Sequence, residues 1–259
     1  DRSAKYDARI TMTIATLTLK NLSRNRLRSL LTVAGIALPM LAFTLARSFV
    51  DGYNRFLQAS DNNLRVAVHQ KLTFTTWLPQ RMREDIEAIA PPGYLTAVCR
   101  AAWFGGKLEG SQVRFASLGF DRDTFPLAYS EWAMTPEEIE AFNRERSGAV
   151  IGPALGKKLN WKIGDRVTLT GGLPPFPKVE FQIVAIPAKM DRDMLCFAFD
   201  YYNEVVQEAT GEPIGVNNFW VKCSSPQARA WALEAIDKQF TNTDHETRTE
   251  MESTFIASF

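Results

Sequence analysis

From Ser29 to Ala46 the chain runs eighteen residues without an ionisable side chain, and Arg24, Arg26 and Arg28 stand immediately before them. Wound as a helix, that run reaches about 27 Å, close to the hydrocarbon thickness of a bilayer. Leu30, Leu31, Val33, Ile36, Leu38, Leu41, Phe43 and Leu45 together favour insertion by about 2 to 5 kcal/mol. Gly35, Pro39 and two threonines offset only part of this. Arg47 can snorkel at the far edge, which stretches the span toward Val50. Buried core helices are usually apolar over only about ten to fourteen residues and lack a cationic flank. Thr44-Leu45-Ala46 imitates a signal-peptide cleavage site, but the basic lead and the apolar run are both long for a cleaved leader. The expectation is an uncleaved membrane helix over 30–50, kinked at Pro39.

Charge distribution gives that helix a direction. Residues 1–29 hold seven Lys and Arg against Asp1 and Asp7, a net of +5, so the remainder of this +1 chain carries −4. Positive charge concentrated on one side of a span places that side in the cytoplasm and the rest of the chain outside it. Residues 1–29 are thus read as a cytoplasmic basic segment; within 10–28 ITMTIATLTL alternates like a strand, but beside a membrane and a basic cluster a surface-lying amphipathic helix is the favoured reading. Met12 resembles a natural start. A net charge this small makes no case for nucleic-acid binding.

The remaining sequence is that of a folded domain. The membrane helix continues over 51–63 as a stalk. Strands are expected at Leu64–Gln70, Leu95–Phe104, Gln112–Leu118, Ala149–Ile151, Arg166–Thr170, Val179–Ile186 and Asn218–Lys222. Gly105–Gly110 reads as a turn. Met82, Ile86 and Ile89 mark a helix that Pro91-Pro92-Gly93 stops. Thr135-Pro136-Glu137-Glu138 is a capping box opening a helix over 135–145. Pro153–Leu159 is a short helix, and Ser225-Pro226 starts another with Leu233, Ile236 and Phe240 on one face. Thr249 to Phe259 reads as the start of a helix leading to a second membrane span. Strands and helices mix without a regular βαβ period, so the fold class is α+β.

Chemistry-bearing motifs are scarce. Gly152-Pro-Ala-Leu-Gly156-Lys157-Lys158 resembles a phosphate loop, but has three spacer residues where four are needed and Lys158 in place of the magnesium-binding hydroxyl. Asp191 and Asp193 lack visible metal partners, and only His69 and His245 could join Cys99, Cys196 and Cys223 in a metal site. Those cysteines read as buried packing thiols, with one bridging pair left open. Glu137, Glu138 and Glu140 lie on a solvated helix. Trp77, Trp103, Phe104, Trp132, Trp161 and Trp220 are explained by core packing. No catalytic residue, metal site or cofactor is assigned.

NLSRNRLRSLLTVAGIAL entering the apolar helix resembles the permease subunits of MacB-type ABC transporters, the group that includes LolC/LolE and FtsX-like proteins. VIGPALGKKLNWKIGDRVTLTGG followed by FQIVAI is similar to a recurring portion of their periplasmic core. IDKQFTNTDHETRTEMESTFIASF is similar to the segment leading into their second membrane helix. The resemblance implies a two-lobed mixed α/β periplasmic domain over 64–246, with an inserted lobe near 101–187 between 61–100 and 188–246. Residues 247–259 would then lead to a further span. It also implies a bacterial inner-membrane location, an ABC-type ATPase as partner, a second permease subunit, a periplasmic adaptor, and no enzymatic activity in this chain. Mechanotransmission or export would follow ATP hydrolysis by the partner. The alternative is a membrane-anchored sensor with an extracytoplasmic ligand-binding domain.

Overall fold

A computed structural model describes residues 24, 26–73 and 76–258. The amphipathic segment expected over 10–28 lies mostly outside them. The chain divides into two units, residues 1–56 and 57–259. The first holds most of helix α1, Arg26–Asn62, which passes Pro39 without ending. Its Arg26–Arg55 stretch is long and apolar enough to cross a membrane, and none of its apolar window is buried. Leu30 and Phe43 are 66% and 69% exposed, which is unlike a core helix and suits a lipid solvent. Thr32 and Thr44 donate to the carbonyls of Arg28 and Met40, so neither hydroxyl is left unbonded along the span.

The second unit is one ten-stranded sheet with helices on both faces. In chain order its elements are β1 (Arg65–Gln70), α2 (Met82–Ile89), β2 (Leu95–Trp103), β3 (Lys107–Leu108), β4 (Ala116–Phe120), α3 (Phe125–Ala128) and α4 (Pro136–Arg144). There follow β5 (Gly148–Ile151), α5 (Pro153–Leu159), β6 (Arg166–Thr170), β7 (Lys178–Ala185), β8 (Met194–Ala198), α6 (Phe199–Thr210), β9 (Asn218–Cys223), α7 (Pro226–Gln239), β10 (Thr247–Met251) and α8 (Glu252–Ala257). The strand order is β10-β1-β9-β2-β4-β8-β5-β7-β6-β3. Neighbours are antiparallel except for β4 with β8 and β5 with β7. Strand β8 lies between β4 and β5, so the returning segment is woven into the sheet beside strands of 101–187.

Alternation along the strands builds two cores. Val66, Val68, Phe197, Phe219 and Val221 face one layer, under Met82 and Ile86 of α2, Tyr202 of α6 and Ala232 and Ile236 of α7. Ala67, Cys99, Phe120, Cys196 and Trp220 face the other, under Phe125 of α3, Trp132, Phe142 of α4 and Phe255 of α8. The α4 capping box forms as expected: Thr135 Oγ1 accepts from Glu138 N (3.2 Å) while Glu138 Oε2 accepts from Thr135 N (2.9 Å). Helix α7 is capped by Ser225, but its buried face is Ala228, Ala232 and Ile236, with Leu233 only partly buried.

Three expectations need correction. The Gly105–Gly110 turn contains β3, whose two residues pair with β6. The strand expected at Gln112–Leu118 is Ala116–Phe120, because its pairing with β2 and β8 sets its limits. The helix expected from Thr249 begins only at Glu252. Thr247–Met251 is instead strand β10, paired with β1 and held from α7 by Asp237, whose carboxylate accepts from Thr247 Oγ1 (3.0 Å), Thr249 Oγ1 (2.7 Å) and Thr249 N (3.0 Å).

All three cysteines are free and buried. Burial pushes the Cys99 thiol up to about 12 and Cys223 to about 11, and raises Cys196 well above its ordinary value. Thiolates are the reactive form. The native protein should therefore leave all three unmodified by a maleimide at neutral pH and release three reactive thiols on denaturation. Rapid native labelling would contradict this packing.

Candidate functional site

The unit's two ends meet. Strand β1 begins three residues after α1 ends, and β10 runs antiparallel beside it with Val66 opposite Met251. The chain therefore leaves the sheet next to the place where it joined. The junction is strapped down: Leu64, in left-handed conformation at φ 53°, accepts from Cys223 N through its carbonyl (3.0 Å), and the Asp61 carbonyl accepts from Arg229 Nη1 (2.7 Å).

At this seam lies a buried charge cluster. Arg65, the first residue of β1, is wholly buried. Its Nη2 donates to Glu252 Oε1 (2.9 Å), lies 2.7 Å from Glu252 Oε2 in ionic contact, and reaches Glu131 Oε1 at 2.7 Å. Its Nη1 donates to the Ala128 carbonyl, and its guanidinium sits 4.0 Å above the Tyr129 ring. Arg192 Nη2 also donates to Glu252 Oε1 (2.7 Å), and Lys222 Nζ lies 3.8 Å from Glu131 Oε2. Burial opposes the charge on Arg65, but Glu252, Tyr129 and Glu131 outweigh it and hold the guanidinium above its ordinary pKa. For Lys222 burial prevails over Glu131, and its pKa is lowered. Glu252 opens α8, so one guanidinium joins the start of β1, the α3 end and the last helix. Such a cluster can fix the two ends of the domain to one another, since a buried charge cannot give up its partner cheaply.

The singled-out sequence residues are dispersed. His69 on β1 contacts Glu250 Oε1 on β10 (3.1 Å) and sits 5.2 Å from the Phe255 ring, a structural placement. His245 lies in the loop before β10. The loop-like run at Gly152 caps α5; a Cβ at Gly152 would collide with the Arg192 carbonyl, so glycine serves backbone approach there. Lys158 pairs with Asp193. Glu138 is spent in the cap. Among the described residues no three His, Cys, Asp or Glu side chains are grouped to hold a metal. Trp77 and Trp161 pack against the first core, Phe104 lies in it, and Trp132 and Trp220 lie in the second. Trp103 is 37% exposed.

Residues 29–239 match the family described as the MacB-like periplasmic core domain. The chain belongs to that family, the periplasmic core portion of a MacB-like ABC transporter permease. No curated protein matches it. Among solved structures it is similar to the extracellular domain of the noncanonical ABC-type transporter YknZ from Gram-positive bacteria, at 9% identity over 72% of this chain and 99% of that one, with a TM-score of 0.48. It is also similar to the periplasmic region of MacB from Actinobacillus actinomycetemcomitans, at 11% identity over 75% of this chain and 91% of that one, with a TM-score of 0.46. The family assignment rests on the sequence match.

Truncating Arg65 to Ala should destabilise the domain by up to about 3–5 kcal/mol, because it leaves the buried Glu252 with Arg192 as its one remaining cation in the cluster. Replacing both partners together, Arg65→Met with Glu252→Leu, should cost much less than Arg65→Ala alone. Urea unfolding followed by tryptophan fluorescence distinguishes the two, and equal losses would contradict the cluster's role.

Proposed function

We propose that this chain supplies the first membrane helix and periplasmic core of a permease subunit that passes conformational change from a partner ABC-type ATPase to the far side of the bilayer. Export or mechanotransmission follows. The observation that carries this reading is the seam: β1 follows the apolar helix, β10 and α8 lie beside it, and Arg65–Glu252 ties them. A displacement of α1 delivered at Arg65 is then imposed on the exit helix and the sheet at once, which is what a transmitting domain requires. Hydrolysis is assigned to an ABC-type ATPase carried in a separate subunit or domain. A second permease subunit and a periplasmic adaptor are the surfaces against which such a motion would act. The cationic lead before Leu30 supports a cytoplasmic N-terminus in a bacterial inner membrane, with residues beyond Val50 outside. Division of the domain into an outer lobe near 101–187 and a base built from the flanking segments is part of the same proposal.

Orientation is tested directly by cysteine accessibility. A Glu140→Cys variant, on the exposed face of α4, should react with a membrane-impermeant maleimide added to spheroplasts, while the buried native thiols stay silent. Labelling only after the membrane is lysed would place the domain in the cytoplasm and sink the reading.

A further inference from the structure

On the second face of the sheet, a cleft of about 420 Å³ opens between α8 and the strands β4, β8 and β9. Its volume falls within the range of about 300–1,000 Å³ typical of small-molecule sites. Leu118, Met194 and Phe255 give it apolar walls. Three polar atoms in the same walls are buried without a hydrogen-bond partner: the Asn218 amide Nδ2, the Trp220 indole Nε1 and Asp193 Oδ1, the last on a half-exposed carboxylate whose Oδ2 pairs with Lys158. Asn218 and Trp220 are each 4% exposed. Buried donors and acceptors are almost always paired in folded proteins, and an unpaired set in a cleft wall calls for a partner from outside the chain. The set is specific in kind. Two are donors and one, a carboxylate oxygen, is an acceptor, so a complementary molecule must present both an acceptor and a donor within an apolar body.

We propose that this cleft binds a small apolar molecule carrying a secondary amide. The amide carbonyl accepts from Trp220 Nε1 and Asn218 Nδ2, the amide N–H donates to Asp193 Oδ1, and the apolar ends lie against Leu118, Met194 and Phe255. Phe255 and Ile256 belong to α8, the helix that Glu252 anchors to Arg65 and Arg192, so an occupant stiffens the exit helix. The proposal does not depend on how the domain is oriented in the membrane or on its transmitting motion.

The test uses the full chain in lipid nanodiscs, titrated calorimetrically with N-benzylhexanamide and with its ester isostere benzyl hexanoate, empty nanodiscs being subtracted. The amide should bind about tenfold more tightly than the ester, which cannot donate to Asp193. Trp220→Phe should weaken both ligands by about three- to tenfold, whereas Asp193→Ala should abolish the preference for the amide. Hydrogen exchange in residues 252–257 should slow when the amide is bound. Equal affinity of amide and ester for the unmodified chain, a comparison that needs no variant, would mean that water satisfies these groups, and the proposal would fall. Heats no larger than those of empty nanodiscs, or protection that spares residues 252–257, would overturn it equally.

Discussion

A single buried guanidinium organises the place where this domain is tethered. Arg65 is the first strand residue after a helix of 37 residues, and its partner Glu252 is the first residue of the last helix, 187 positions away in sequence. Desolvating either charge without compensation is costly, so the pair is held within a cluster in which Glu131 also faces Arg65 and Arg192 also faces Glu252. The pairing of β1 with β10 brings Arg65 and Glu252 into register, and the Asp237 carboxylate keeps the polar strand β10 in the sheet. Sheet, cluster and helix α8 therefore stand or fall together, and the proposed transmission relies on that interdependence.

A second charged knot stiffens the domain away from the seam. Asp121, at the end of β4, accepts from Arg100 N (2.8 Å) and Arg100 Nε (2.7 Å) and lies 3.2 Å from Arg83 Nη1 on α2. Burial raises the Asp121 pKa despite those two cations. A carboxyl shifted in that direction contributes stability at pH below its unfolded pKa and loses it as pH rises through the folded one. This knot therefore fixes the geometry of α2, β2 and β4 rather than supplying stability at neutral pH.

Much of the fold was legible in the sequence wherever local rules governed. The eighteen uncharged residues, the Thr135–Glu138 box, the Pro153–Leu159 helix and the Arg166–Thr170 strand follow from composition, capping and alternation, and the structure keeps them. What escaped was decided by distant partners. MLCFAF is continuously apolar, because β8 is covered on both faces and has parallel β4 beside it. A run of that kind lacks the alternation that marks a half-exposed strand. Helix α6 begins at the Phe199 that closes this run, with no side-chain cap at Ala198 to mark its start. TRTEM looks like the start of a helix and becomes a strand only because β1 offers an open edge. The Arg65–Glu252 cluster had one faint local sign, an arginine directly before the apolar Val66-Ala67-Val68, and nothing nearby named its partner.

The proposed transmission requires that motion of the apolar helix reach the sheet through the paired strands β1 and β10. Spin labels at Gln58 in both permease subunits of a transporter assembled with its ATPase test it most directly, with a second label pair at Lys107 and Glu140 inside one domain as the rigidity control. ATP binding should shift the Gln58-to-Gln58 distance distribution between subunits and leave the intradomain distance unchanged. An inter-subunit distance indifferent to nucleotide, or a domain that deforms internally while Gln58 stays put, would contradict the account.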